Sequence, residues 1–182
     1  MRERVTLHAG SATAILDPVA GGRIAALTVD GLDLLLTQGD GPLTWGCYPM
    51  VPWAGRLRGG VLCWRGEEHR LATRLLPPHA IHGTLLEERW DVLDAMAGEA
   101  ALAANLGPPW PFGGRAVHRV ALGPTSLHAV LEVHADQPMP AIVGWHPWFP
   151  RVLRDRTGAP VGERSDVMES RQTKWTLLRS KE

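Results

Sequence analysis

The sequence predicts an all-β protein, an antiparallel β-sandwich in a single domain, and three observations carry the prediction. Short runs with a two-residue period recur along the chain, Gly, Asp and Pro pairs punctuate them, and only one segment could pass for a helix. At 182 residues the chain can bury one sizeable core, and nothing in its composition asks for a second.

The first strands are read at 4–9 (RVTLHA) and 12–16 (ATAIL), then at 23–29 (RIAALTV) after Gly21-Gly22. Asp30-Gly31 and Gly39-Asp40-Gly41 turn the chain, and 61–65 (VLCWR) resumes the alternation. Segment 86–104 is rich in Leu, Glu and Ala but broken by Gly98, so it reads as two strands around a turn, with Trp90–Leu93 in one and Ala100–Asn105 in the other. Two further strands fall at 117–122 and 126–134, separated by Gly123-Pro124. In the second, Leu127, Ala129, Leu131 and Val133 share one face and His128, Val130, Glu132 and His134 the other, the pattern of a strand buried on one side. The sandwich is expected over residues 1–153. From 154 to 182 the chain is charged and short of core residues, a divergent or frayed tail.

Three segments follow neither period: 45–60 (WGCYPMVPWAGRLRGG), 77–84 (PPHAIHGT) and 107–114 (GPPWPFGG). Their Pro and Gly fix unusual backbone shapes, and a rigid sheet carrying such loops is a usual setting for a binding site.

Charge narrows the partner. Nineteen basic and nineteen acidic residues cancel, which removes the electrostatic case for nucleic acid or an anionic membrane and leaves a neutral small molecule as the better fit. Thr6, His8 and Ser11 interrupt any apolar signal segment, and no stretch reaches membrane-spanning length, so a cytoplasmic location is expected, with Cys47 and Cys63 as reduced thiols. Eight Trp against one Tyr and two Phe allow either a Trp-filled core or a surface that stacks on a ligand.

No phosphate loop, dinucleotide fingerprint, HExxH pair, nucleophile elbow or CxxC is present. Among the histidines, those at 8, 69, 118, 128 and 134 lie in strand-like runs and read as structural. His79 and His82 share a Pro-rich loop, and His146 stands between Trp145 and Pro147. Zinc would need a third ligand at a recognisable spacing, and none is found, so no metal and no cofactor is expected.

The segments CYPMVPWAGRLRGG (47–60), HAIHG (79–83), PFGGRAVHRVAL (111–122) and GWHPWF (144–149) together resemble, in order, the motifs of bacterial aldose 1-epimerases (galactose mutarotases). The resemblance covers about 1–150 and extends to VLRDRTGAPVG at 152–162. It implies the galactose mutarotase-like supersandwich and interconversion of the α and β anomers of a hexose. By that likeness Arg56 contacts substrate, His82 hydrogen-bonds the sugar near its anomeric centre, and His146 is the acid that protonates the ring oxygen. Guanidinium and imidazole suit these tasks, as a fixed fork of donors and as a proton carrier near neutral pH. Trp53, Trp110 and Trp148 are candidate stacking faces for a pyranose, whereas Trp145 is expected in the core because it must point away from its neighbour His146. If these motifs build one site, the two imidazoles must lie within roughly 12 Å of each other.

The family's catalytic base is a glutamate near the C-terminus. Glu163, Glu169 and Glu182 are the glutamates of this tail, and none stands in a context resembling that motif. The expectation is therefore a C-terminally truncated member with impaired activity toward an aldohexose or its phosphate. The alternative is a non-catalytic carbohydrate-binding protein or truncated gene product.

Overall fold

The computed structural model describes residues 4–154 and 157–163. Sixteen strands and one turn of 3-10 helix (Arg58–Gly60) make up its regular structure. No helix among the described residues is long and apolar enough to cross a membrane.

The chain opens with β1 (Val5–Ala9), β2 (Ala12–Asp17), β3 (Arg23–Val29) and the short β4 (Leu32–Asp33), followed by β5 (Cys47–Met50). Next come three small pieces, β6 (Arg56–Leu57), β7 (Val61–Trp64) and β8 (Glu67–Arg70), and then β9 (Ala80–Ile81). A second group follows as β10 (Asp91–Ala95), β11 (Glu99–Asn105), β12 (Arg115–Leu122) and β13 (Leu127–His134). The series ends with β14 (Gly144–Pro147), β15 (Val152–Arg154) and β16 (Pro160–Glu163).

Two large antiparallel sheets and three two-stranded ones result among the described residues. One large sheet has the order β1-β2-β3-β5-β14, with β4 also on β3, and the other is the meander β10-β11-β12-β13. A shared core joins them: Leu7, Ala14, Leu16 and Ile24 from the first sheet cluster with Leu102 and Val120 of the second. The arrangement is the antiparallel sandwich the alternation predicts. In β13, Leu127, Leu131 and Val133 pack on the core while His128, Val130 and His134 are exposed.

Where the two-residue period is missing from the sequence, the structure shows why. All but the ends of β11 is buried, so Ala100 to Ala104 carry no polar beat, and small residues alone gave the segment its helical composition. The segment 45–60 is not all loop. It contributes β5, whose Tyr48, Pro49 and Met50 are all buried, again erasing alternation. Similarly, 77–84 holds β9, which pairs Ala80 with Leu57 and Ile81 with Arg56. The hairpin of β15 and β16 spans the position at which the tail was expected to begin. Glu169 and Glu182 lie outside the described residues.

Candidate functional site

Register builds the centre of the site. β14 pairs with β5 so that His146 stands opposite Tyr48, and residues opposite one another in an antiparallel pair share a face. Their rings stack at 5.1 Å with planes 19° apart. Trp148, two residues further along the same side, stacks on His146 at 5.4 Å and 19°. The imidazole is thus held in its plane by aromatic contacts to both neighbours.

His82 enters from β9's end. Its ring lies 5.4 Å from that of His146, edge to face, and 6.0 Å from Tyr48. The backbone that delivers it is unusual: His82 has φ 57, a left-handed conformation costing on the order of 1 kcal/mol in a residue with a Cβ. Gly83 follows with φ 89 and bridges to Val51, where any Cβ would collide with the Val51 carbonyl. Two successive left-handed residues turn the chain so that the His82 side chain faces the β5–β14 pair.

The proton on His82 can be located. Its Nδ1 accepts the Gly55 backbone N–H at 3.1 Å, so in the neutral ring the hydrogen sits on Nε2, which is therefore a donor. Burial, with His146 and Arg56 nearby, pushes the imidazole down to about 4. At neutral pH His82 is an uncharged Nε2–H donor, and its lone pair is already engaged. It is not a base. His79 makes the parallel contact, accepting the Gly59 N–H at 3.1 Å, and the two histidines bracket the β6 strand that carries Arg56.

For His146 the nitrogens also differ. Nδ1 is buried and makes no hydrogen bond, leaving Nε2 as the nitrogen able to reach a ligand. Arg56 is exposed, and its charge is felt at His82. Among the described residues, the charged groups that shift His82 are His146 and Arg56, both cationic when ionised. Among the described residues no group of three His, Cys, Asp or Glu could hold a metal.

The expected tryptophans divide. Trp148 joins the histidines. Trp53 and Trp110 do not offer open faces: they are 6% and 2% exposed, stack on each other at 5.7 Å, and belong to the core. The Trp110 indole donates to Met139 Sδ at 3.0 Å, and Phe112 packs edge-on against its ring. The reason is area, since rings of this size on loops beside an apolar core gain most by folding back into it. A cavity of about 190 Å3 has Trp53, Ile81, Gly83 and Thr84 in its wall, and neither His82 nor His146 lines it. Tyr48, the chain's only tyrosine, is the contact missed by residue-level reasoning. It lies inside a quoted motif, CYPMVPW, but only the β5–β14 register reveals its place. Burial raises its hydroxyl's pKa, opposed by the Trp148 indole and the Arg23 charge.

Trp145, on the opposite face of β14, donates its indole N–H to His118 Nε2 at 3.0 Å. It lies inward, as its alternation with His146 requires.

The family model for aldose 1-epimerases matches residues 3–164. The chain belongs to the aldose 1-epimerase family. Comparison with curated proteins gives no match. Among solved structures the chain is similar to a candidate aldose 1-epimerase of Escherichia coli K12, at 25% identity and a TM-score of 0.74 over 81% of this chain and 52% of that one. It is also similar to a galactose mutarotase-like protein of Clostridium acetobutylicum, at 17% identity and 0.68 over 87% and 60%. The GalM/aldose epimerase homologue of Caenorhabditis elegans matches at 17% and 0.64 over 88% and 60%. The latter two show the fold alone. This aldose 1-epimerase family member spans about half to three-fifths of the length of these relatives.

Proposed function

We propose that the protein binds an aldohexose, or its phosphate, at the His82–His146–Tyr48 cluster and carries the acid half of a mutarotation. The observation that supports this best is the imidazole pair with ring centroids 5.4 Å apart, edge to face. In this reading His146 Nε2 donates a proton to the ring oxygen as the C1–O bond breaks, while a base takes the proton of the anomeric hydroxyl and C1 becomes the carbonyl carbon. Rotation about C1–C2 and reclosure, with both protons returned, give the other anomer. His82 Nε2–H holds an oxygen near the anomeric centre, Arg56 takes vicinal hydroxyls, and Trp148 offers apolar contact to the pyranose.

A specific observation favours a second reading, carbohydrate binding with little turnover. The Gly55 N–H on His82 Nδ1 engages the lone pair a base would need, and among the described residues no carboxylate contributes to the shift of His82. Glu163 is the carboxylate in the described tail to test first, with Glu169 next. Positioned general-base catalysis is worth about 10²–10⁴-fold, so a site with water as its base is expected to turn over more slowly by that factor while retaining affinity.

The test is the initial mutarotation rate of freshly dissolved α-glucose or α-galactose at several protein concentrations, beside His146→Ala. A rate proportional to protein and lost in the variant supports the enzyme. A flat rate with saturable monosaccharide binding supports the binding protein, and absence of both sinks the sugar assignment.

A further inference from the structure

His118 looks at first like a routine core residue of β12. Its surroundings are not routine. It is completely buried between the sheets, where an unmet hydrogen bond has no water to replace it. Its Nδ1 lies 3.0 Å from the Gly22 carbonyl, and its Nε2 lies 3.0 Å from the Trp145 indole nitrogen. A carbonyl can only accept and an indole can only donate. The ring is therefore the neutral tautomer with its hydrogen on Nδ1, donating to Gly22 and accepting from Trp145.

One partner is itself fixed, and the other needs fixing. Gly22 has φ 65, and a Cβ there would stand 2.7 Å from the Trp90 ring, so only glycine brings this carbonyl so close. Trp90 also contacts His118, ring edge to face at 6.3 Å. Trp145 belongs to β14, which ends the six-stranded sheet among the described residues and pairs there with β5. A strand of four residues held along one side is weakly constrained by its sheet. The bond from His118 is a side-chain tie that reaches β14 from the facing sheet.

We infer that His118 is a positioning residue for His146, acting through Trp145. Successive residues of a strand point to opposite faces, so anchoring the Trp145 indole inward sets the direction in which His146 points outward toward Tyr48 and His82. The inference rests on the site proposed above only for its functional consequence, because the orientation of His146 can be read without any sugar.

The experiment compares wild type with His118→Leu, His118→Gln and Trp145→Phe. Histidine ring NMR signals report His146, indole N–H signals report Trp145, and mutarotation reports function. In His118→Leu and Trp145→Phe the His146 ring signals shift from their wild-type positions. Turnover, where present, falls about tenfold with KM within about twofold, as expected when positioning but not binding is lost. The double variant is no worse than either single one. His118→Gln, whose amide can both accept and donate, recovers at least part of the His146 signal position. If His118→Leu does not fold, Trp145→Phe, which removes the donor together with part of the ring, is read beside His118→Gln, which keeps the whole indole. Unchanged His146 signals in a folded Trp145→Phe overturn the inference. Moved signals in a protein without mutarotation or sugar binding uphold it while refuting the proposed function.

Discussion

The sandwich interior and the open face of β14 each hold a histidine pushed down to about 4, and the two mean different things. For His118 burial is the main cause, only partly offset by its bond to Gly22, and both ring nitrogens are occupied by protein groups. For His82 burial is joined by His146 and Arg56, and only Nδ1 is occupied. A depressed imidazole with two protein partners is a structural bridge, whereas one with a free donor is available to a ligand. The partner count separates the roles where the shift does not.

Stability should separate the two regions most sharply. His118→Leu keeps volume but leaves the Trp145 donor and the Gly22 carbonyl buried without partners, an expected loss of about 3 kcal/mol. His82→Gly forfeits one hydrogen bond from Gly55, yet it relieves the left-handed strain at φ 57, so the net change is expected within about 1 kcal/mol. Urea midpoints of the two variants measure this. Equal losses would erase the distinction.

Acid should then act through the interior. His118 titrates near 4 when folded against an ordinary value of 6.5. Above 6.5 neither state is protonated, and its contribution is fully present. As pH falls below 6.5 the unfolded chain takes up a proton that the folded one refuses, so stability drains away until about 4, where the folded ring protonates too. The loss is on the order of 3 kcal/mol. His82 acts in the same direction, but its half-open setting screens the effect. Urea unfolding between pH 7 and 4 should show this slope, and His118→Gln should flatten most of it.

How much of this was legible beforehand follows from the physics of each segment. Hairpins such as β12–β13 announce themselves because one face is wet and the other dry. β5 and β11 do not, being buried on both faces, and the Pro within β5 argued further against a strand. At the site, His82, His146 and Arg56 could be named because the motifs around them resemble a family, but no spacing shows that a left-handed His82 meets an edge strand. Tyr48 went unseen for the same reason, its partner being set by register. Trp53 and Trp110 were misplaced because loop position says where a backbone runs, not which way a large ring folds. His118 read correctly as structural, while its tie to Trp145 needed the two sheets in contact.

On the open face, the expected effect of His82 is on ligand rather than fold. Removing its Nε2–H donor by His82→Ala costs one hydrogen bond, about 1 kcal/mol, or roughly a fivefold weaker sugar. Titration calorimetry with glucose and galactose checks this. Affinity in the wild type should hold steady from pH 8 down to about 5, because the donor is already present in the neutral ring and protonation near 4 does not remove it. An affinity that fell steeply between pH 7 and 6 would mean that a group other than His82 controls binding.

The smallest effect is optical and tests the tryptophans themselves. Trp148 is half-buried beside His146, so a bound pyranose would exclude water from its ring and change its emission, although the contact adds only a few tenths of a kcal/mol at this exposure. Trp53 and Trp110 are sealed in the core against each other, and a ligand on the histidine face changes nothing around them. A saturable change in emission on adding sugar should therefore vanish in Trp148→Phe and persist in Trp53→Phe. The reverse result would place the sugar in the cavity walled by Trp53, Ile81 and Thr84, behind the His82 segment, and the histidine face would lose its claim to the ligand. Persistence of the signal in both variants would assign it to another of the eight tryptophans, and its loss in Trp145→Phe would mean that sugar binding is felt on the inner side of β14.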